Sequence, residues 1–186
     1  MSEARSIPRF PAIGALALRF APLFPLSLAG QRLTSGLAER HPALFSRLGE
    51  QADKVFLIDP TDLPCVFVLA PRPGRPSFRA LRREEIAEWD ARIAGPLAAL
   101  IGLIHGAYDG DALFFSRDLA IEGDTEAVVA LRNAIDNEEL DLVAEATALL
   151  GPLGPLAAAP AQTLASIIAA ASGAPLTRAA TGPFEA

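Results

Sequence analysis

The chain reads as an α+β protein, a mixed sheet of five strands packed against helices, on three observations. Five short runs carry the strand pattern, at Lys54 to Asp59, Pro64 to Ala70, Ser77 to Arg82, Trp89 to Ile93 and Leu113 to Ile121, and turns bearing Pro, Gly or Asp separate them. Apolar residues recur at helical spacing at Leu97, Leu100, Ile101 and Ile104, and again after Asp124. Strands and helices come in mixed order, which suits a sheet with helices layered on it. With 186 residues and 51% hydrophobic content the chain buries one substantial core and falls outside the disordered class.

Residues 1–50 read as a helical arm. Phe10 to Gly30 is largely apolar and, at roughly 1.5 Å per residue, about long enough to cross a bilayer. Arg19 in its middle and Pro11, Pro22 and Pro25 break any continuous apolar helix. Arg5 and Arg9 before an apolar run and the small residues of Ser27-Leu28-Ala29 have the outline of a secretory signal, yet Arg19 interrupts the apolar centre a signal needs. Short amphipathic helices carrying Phe10, Ile13, Leu16, Phe20, Leu23 and Phe24 are the alternative. Such a stripe serves equally as a lid over the domain or as a contact with a membrane interface, and the sequence leaves both open. Gln31 to Glu50 is expected to be helical with a break at His41-Pro42, His41 being a junction residue.

Along residues 51–150 the alternation is clearest around Cys65-Val66-Phe67-Val68-Leu69-Ala70, where Cys65 is read as a small buried hydrophobe. Trp89, Ala91 and Ile93 alternate with Asp90 and Arg92 as in a half-buried strand. Gly95-Pro96 opens a helix, since proline is tolerated at the first helical position, and His105-Gly106 ends it. An acidic turn, Asp109-Gly110-Asp111, precedes Leu113-Phe114-Phe115-Ser116-Arg117-Asp118-Leu119-Ala120-Ile121-Glu122-Gly123-Asp124-Thr125-Glu126. There Leu113, Phe115, Leu119 and Ile121 share one strand face, interrupted by Arg117, while Gly123 allows a backbone turn and Asp124 caps the next helix. A further helix is expected from Asn137, stopped by Gly151-Pro152-Leu153-Gly154-Pro155, and residues 151–186 read as an Ala-rich helix and tail.

The Phe-rich strand and the capped helix after it carry a resemblance. Leu-Phe-Phe-x-Arg-x-Leu-x-Ile-Glu-Gly-Asp-Thr-Glu, with the Gly-Pro helix before it and Asn133 after it, resembles the sterol carrier protein 2 (SCP2) domain, a lipid-binding module, across about residues 86 to 136. Within that family it is most similar to the UbiT-like accessory factors of oxygen-independent ubiquinone biosynthesis. The resemblance implies an SCP2-like lipid-binding domain over 51–150 and a non-catalytic factor that holds an isoprenoid lipid or quinone precursor. It also implies partners akin to the UbiU/UbiV hydroxylase pair, a cytoplasmic location with transient contact to a membrane surface, and no cofactor. The expected lipid-binding residues are Phe67, Leu69, Ile93, Phe115, Leu119 and Ile121 on the sheet, opposite Leu100, Ile104, Val128, Leu131 and Ile135 on helices. By periodicity alone each is simply a core residue, and the pattern does not decide between a filled core and a hollow one.

Charge divides the chain. Residues 1–50 hold six Arg against three Glu, a net of +3, and residues 51–186 hold ten basic and nineteen acidic groups, a net of −9. The run Arg72, Arg75, Arg79, Arg82 and Arg83 is either a solvated edge or a docking surface for anionic headgroups or an acidic partner. Nucleic acid fits poorly with an acidic whole that carries no recognisable motif. Two histidines and one cysteine have no spacing that unites them in catalysis, and Asp109, Asp111, Glu122 and Asp124 are better read as turn and cap residues than as a metal site. A scaffold that binds a partner helix, or a general lipid carrier at the membrane surface, is the non-catalytic alternative, and an enzyme is the less favoured one.

Overall fold

The structure, a computed structural model, describes residues 9–85, 88–104, 119–138 and 144–145. Within them β1 (Phe56–Pro60), β2 (Cys65–Ala70), β3 (Ser77–Arg82), β4 (Ala91–Gly95) and β5 (Ala120–Gly123) form one sheet in the order β3-β2-β1-β4-β5. Neighbours are antiparallel except for β1 and β4, which run parallel at its centre. The protein is therefore α+β with a mixed five-stranded sheet, as expected, and the strands begin and end within two residues of the runs named above wherever those are described. The Phe115 portion of the last run and everything expected beyond residue 145 lie outside the described residues.

Register places two rows of apolar side chains across one face of the sheet. Phe67, Ile58, Ile93 and Ile121 are successive cross-strand partners, and Leu69, Phe56, Ala91 and Gly123 form the row beside them. Against this face pack α3 (Pro42–Arg47), α4 (Leu97–Ile104) and α5 (Thr125–Glu138), which contribute Leu44, Phe45, Ala99, Leu100, Val128, Leu131 and Ala134 to the same core. On the other face Leu57, Val66 and Val68 are also buried, with Trp89 against them. The central strand β1 is thus covered on both sides, which is why its sequence is apolar without alternation.

Trp89 departs from expectation. The N–H groups of Asp90 and Ala91 both donate to the Val55 carbonyl, so β4 starts with an irregular step and Trp89 packs on the face opposite to Ile93. The helix after Gly95-Pro96 also differs: its buried residues are Ala98, Ala99, Leu100 and Gly102, while Leu97, Ile101 and Ile104 are half-buried. Small residues on that side let α4 come close to its neighbours.

Caps fix the helix starts. Asp62, in the β1–β2 turn, accepts from Leu97 N–H at 2.9 Å and from Phe10 N–H at 2.8 Å, joining α4, the turn and the start of the arm. Asp124 accepts from Ala127 N–H at 3.0 Å and pairs with Lys54 at 3.1 Å, and these two partners hold its carboxyl below the usual range. The expected cap is present.

The edge strand β3 is sealed by α2 (Phe24–Arg40), a longer helix than the one expected from Gln31. Gln31 accepts from Phe78 N–H and donates to the Pro76 carbonyl, and Ser27 both accepts from Ala80 N–H and donates to its carbonyl. These side chains satisfy backbone groups that an open edge would offer to other chains. The close approach needs Gly30, whose position leaves no room for a Cβ beside the Phe78 ring.

Candidate functional site

The structure brings three of the expected lipid-binding residues, Phe67, Ile93 and Ile121, into a single row across the sheet. Leu69 stands one pair along in the neighbouring row. Leu100, Leu119, Val128 and Leu131 are buried in the core beneath the helices, and Ile104 and Ile135 pack half-buried against it. Phe115 lies outside the described residues.

Burial along the row is uneven, and that unevenness locates the candidate site. Ile58, Leu69, Ile104, Ile121 and Ile135 touch the core yet remain half-buried, and Phe67, beside Ile58 in the row, is half-buried as well, whereas Phe56 and Ala91 are fully enclosed. Phe67 stacks on Phe78 of the edge strand, ring centres 5.5 Å apart, which fixes an aromatic wall at one end of the row. An apolar face of this kind holds alkyl or isoprenoid groups through area removed from water, at about 0.8 kcal/mol per methylene. It offers no charge to discriminate between them. Ile58, the middle of the row, is not among the residues expected from sequence. In Val55-Phe56-Leu57-Ile58 every position is apolar, so nothing in the pattern says which faces the helices.

The basic run separates into two groups. Arg82 donates to the Leu18 and Ala21 carbonyls at 2.8 and 2.5 Å, and Arg83 donates to those of Pro60 and Leu63 and pairs with Asp59. Their guanidinium groups hold the arm and the β1–β2 turn, a structural role that the sequence did not show. Arg72, Arg75 and Arg79 are exposed, and their side chains make no hydrogen bond or ion pair among the described residues. Since α2 runs antiparallel to β3, Ser27 at Ala80 and Gln31 at Phe78, the Arg72–Arg75 turn lies at the far end of β3 from the arm.

In the arm, α1 (Ala12–Phe20) meets α2 at a bend of 101°, and neither helix is long and apolar enough to cross a membrane by itself. Phe10 and Leu23 are half-buried, while Ile13, Leu16, Phe20 and Phe24 are 85, 58, 81 and 74% exposed. Four of the six stripe residues thus face water, while Phe10 and Leu23 are partly covered.

The acidic candidates are occupied by structural partners. Glu122 pairs with Arg92, Asp124 is the cap described above, and Asp109 and Asp111 lie outside the described residues. Cys65 is fully buried, and burial pushes its thiol up against the opposing charges of Arg82 and Arg83. An open depression of about 320 Å³ lined by Thr125, Glu126, Val129, Ala130 and Asn133 is on the outer side of α5, away from the apolar row.

His41 does more than mark a helix junction. Its Nδ1 lies 3.2 Å from Glu138 and its Nε2 2.9 Å from Glu145, while Arg40 and Arg47 bind the same two carboxylates. Two carboxylate acceptors require both ring nitrogens to donate, which only the imidazolium does. The hydrogen bond to Glu145 raises the His41 pKa against an opposing burial effect, with Glu138 adding to the rise. Burial pushes the Glu145 carboxyl up, but His41 and Arg40 outweigh it and hold it below the usual range. A raised imidazole pKa gives stability that is complete below the unfolded value of about 6.5 and is lost as pH climbs through the folded value. The margin of wild type over His41→Gln in urea unfolding is therefore expected to be largest below the unfolded value and to shrink as pH rises above it. A margin independent of pH contradicts the imidazolium assignment.

The chain is similar to known proteins in its family pattern and its fold. Residues 36–136 match the model of the SCP-2 sterol transfer family. The fold is similar to the solved structure of a UbiJ-SCP2 ubiquinone synthesis protein, at 20% identity and a TM-score of 0.52, covering 64% of this chain and 96% of that one. A crystal structure of sterol carrier protein 2 aligns at 19% identity, TM-score 0.44, covering 64 and 94%. Sterol carrier protein 2 from Yarrowia lipolytica, in its apo form, aligns at 14% identity, TM-score 0.41, covering 58 and 87%. Comparison with curated proteins finds no match.

Proposed function

Because the chain belongs to the SCP-2 sterol transfer family, we propose that it is a non-catalytic, lipid-binding accessory factor that holds prenylated quinone precursors during ubiquinone biosynthesis. The observation that carries this reading is the half-buried apolar row of Phe67, Ile58 and Ile121, continuous with the core through Ile93. An isoprenoid tail laid along it exchanges water for aliphatic contact, and its gain grows with tail length. The aromatic head stays outside that face, available to hydroxylase partners of the UbiU/UbiV kind. Similarity to the UbiJ-SCP2 ubiquinone synthesis protein and the motif around Leu119 to Glu126 support the quinone assignment over a sterol. The protein then works from the cytoplasm and needs no cofactor of its own.

A fluorescent long-chain lipid probe tests this. Prenylated quinone analogues are expected to displace it, tail-less head analogues to leave it bound, and Phe67→Ala to weaken the probe by about tenfold without loss of fold. Equal competition by tail-less analogues, or displacement by a partner helix alone, points to the scaffold reading instead.

A further inference from the structure

The hairpin tip between β2 and β3 presents two exposed arginines on a stiff turn, and we infer that it docks a protein partner through a helix face bearing carboxylates one turn apart. Arg75 N–H donates to the Arg72 carbonyl at 3.0 Å, Pro73 follows Arg72 and Gly74 has φ of +72°, the pattern of a type II turn. Such a turn brings the Cα atoms of its first and last residues within about 7 Å, near the spacing of about 5–6 Å between Cβ atoms one helical turn apart. Pro71 and Pro76 flank it, and Gln31 holds the Pro76 carbonyl at 2.9 Å, so little freedom is lost when the arginines engage. Arg79 on β3 and Arg32 on α2, next to Gln31, add two further exposed cations.

Charge and shape select the occupant. The side chains of Arg32, Arg72, Arg75 and Arg79 make no hydrogen bond or ion pair among the described residues, and residues 63–83 hold no acid. A guanidinium matches a carboxylate in two parallel hydrogen bonds, which gives such a pair its preference for acids. An added strand is shut out, because Ser27 and Gln31 already occupy the β3 edge. A bilayer fits less well, since none of the exposed large apolar side chains among the described residues stands on the tip or on β3. A second copy lacks the complement: in its described α-helices Asp136 and Glu138 are already paired with Arg132 and Arg47, and Glu39 and Glu126 have no acid at helical spacing. Phe78, three residues past Arg75, stacks on Phe67, so a docked partner stands at the aromatic end of the apolar row. Docking needs no lipid in that row, so this inference and the carrier reading fail separately.

Fluorescence anisotropy of the full chain with a labelled, Ala-rich helical peptide carrying glutamates along one face tests it. Wild type is expected to bind this peptide at least about tenfold more tightly than one of the same composition with its glutamates spread around the helix. Arg72→Gln/Arg75→Gln is expected to lose at least about tenfold with unchanged thermal melting, since both side chains face water, while Arg19→Gln in α1 leaves binding unchanged. Equal binding of the two peptides, undiminished binding by the double variant, an equal loss by that variant in sedimentation with phosphatidylcholine–phosphatidylglycerol vesicles, or a wild-type dimer that the double variant does not form would each overturn the inference.

Discussion

Asp59→Ala is expected to destabilise the fold by about 3–5 kcal/mol, the cost of removing one partner from a buried ion pair. The Asp59 side chain is only 2% exposed, and its two oxygens bind Arg83 at 2.7 Å and Arg92 at 2.5 Å. Arg92 continues to Glu122, so a line of charge crosses β1, β4 and β5 on the face opposite the apolar row. These ties fix the same register that aligns Ile58, Ile93 and Ile121 on the other side. Without the carboxylate, the partly buried Arg92 keeps only the exposed Glu122 to meet its charge. Urea unfolding reads the loss directly, and a change below about 1 kcal/mol would place Asp59 among ordinary surface pairs.

Gly123→Ala is expected to cost about 3 kcal/mol or more, from backbone strain and a clash together. Gly123 has φ of +81°, and a Cβ there would stand 2.3 Å from the Asp90 carbonyl oxygen and 2.9 Å from the Trp89 ring. A left-handed conformation alone costs an alanine roughly 1–2 kcal/mol, and a clash with backbone adds to it because β4 must move. That carbonyl also accepts from Asp124 N–H, so the damage reaches the cap of α5. Gly74 supplies the control: its φ is +72° but open space surrounds it, so Gly74→Ala shows the conformational strain without the clash. Equal melting losses for the two variants would mean that the approach of β4 to Gly123 is not tight.

What the sequence disclosed and what it withheld follow from interaction range. The β2 and β3 boundaries, the helix after Gly95-Pro96, the break at His41-Pro42 and the Asp124 cap are local, written in alternation, proline chemistry and cap residues within a few positions. Ile58 was hidden because β1 is buried on both faces, which erases alternation. Trp89 went to the other face because one irregular backbone step inverts everything before it. The structural ties of Arg82 and Arg83 were hidden, since nothing nearby in sequence shows that they reach carbonyls about 20 to 60 residues away. Likewise the clasp of Gln31 and Ser27 on the β3 edge spans 45 to 53 residues. The arm's stripe was legible, but the side it faces depends on those distant arginine contacts.

Native mass spectrometry of the full chain, purified gently from a host that makes quinones, tests the carrier reading most directly. The account predicts added mass matching a prenylated quinone or its precursor, released on unfolding and diminished in Phe67→Ala. Chain recovered only at its bare mass, and still bare after incubation with prenylated quinones, would contradict it.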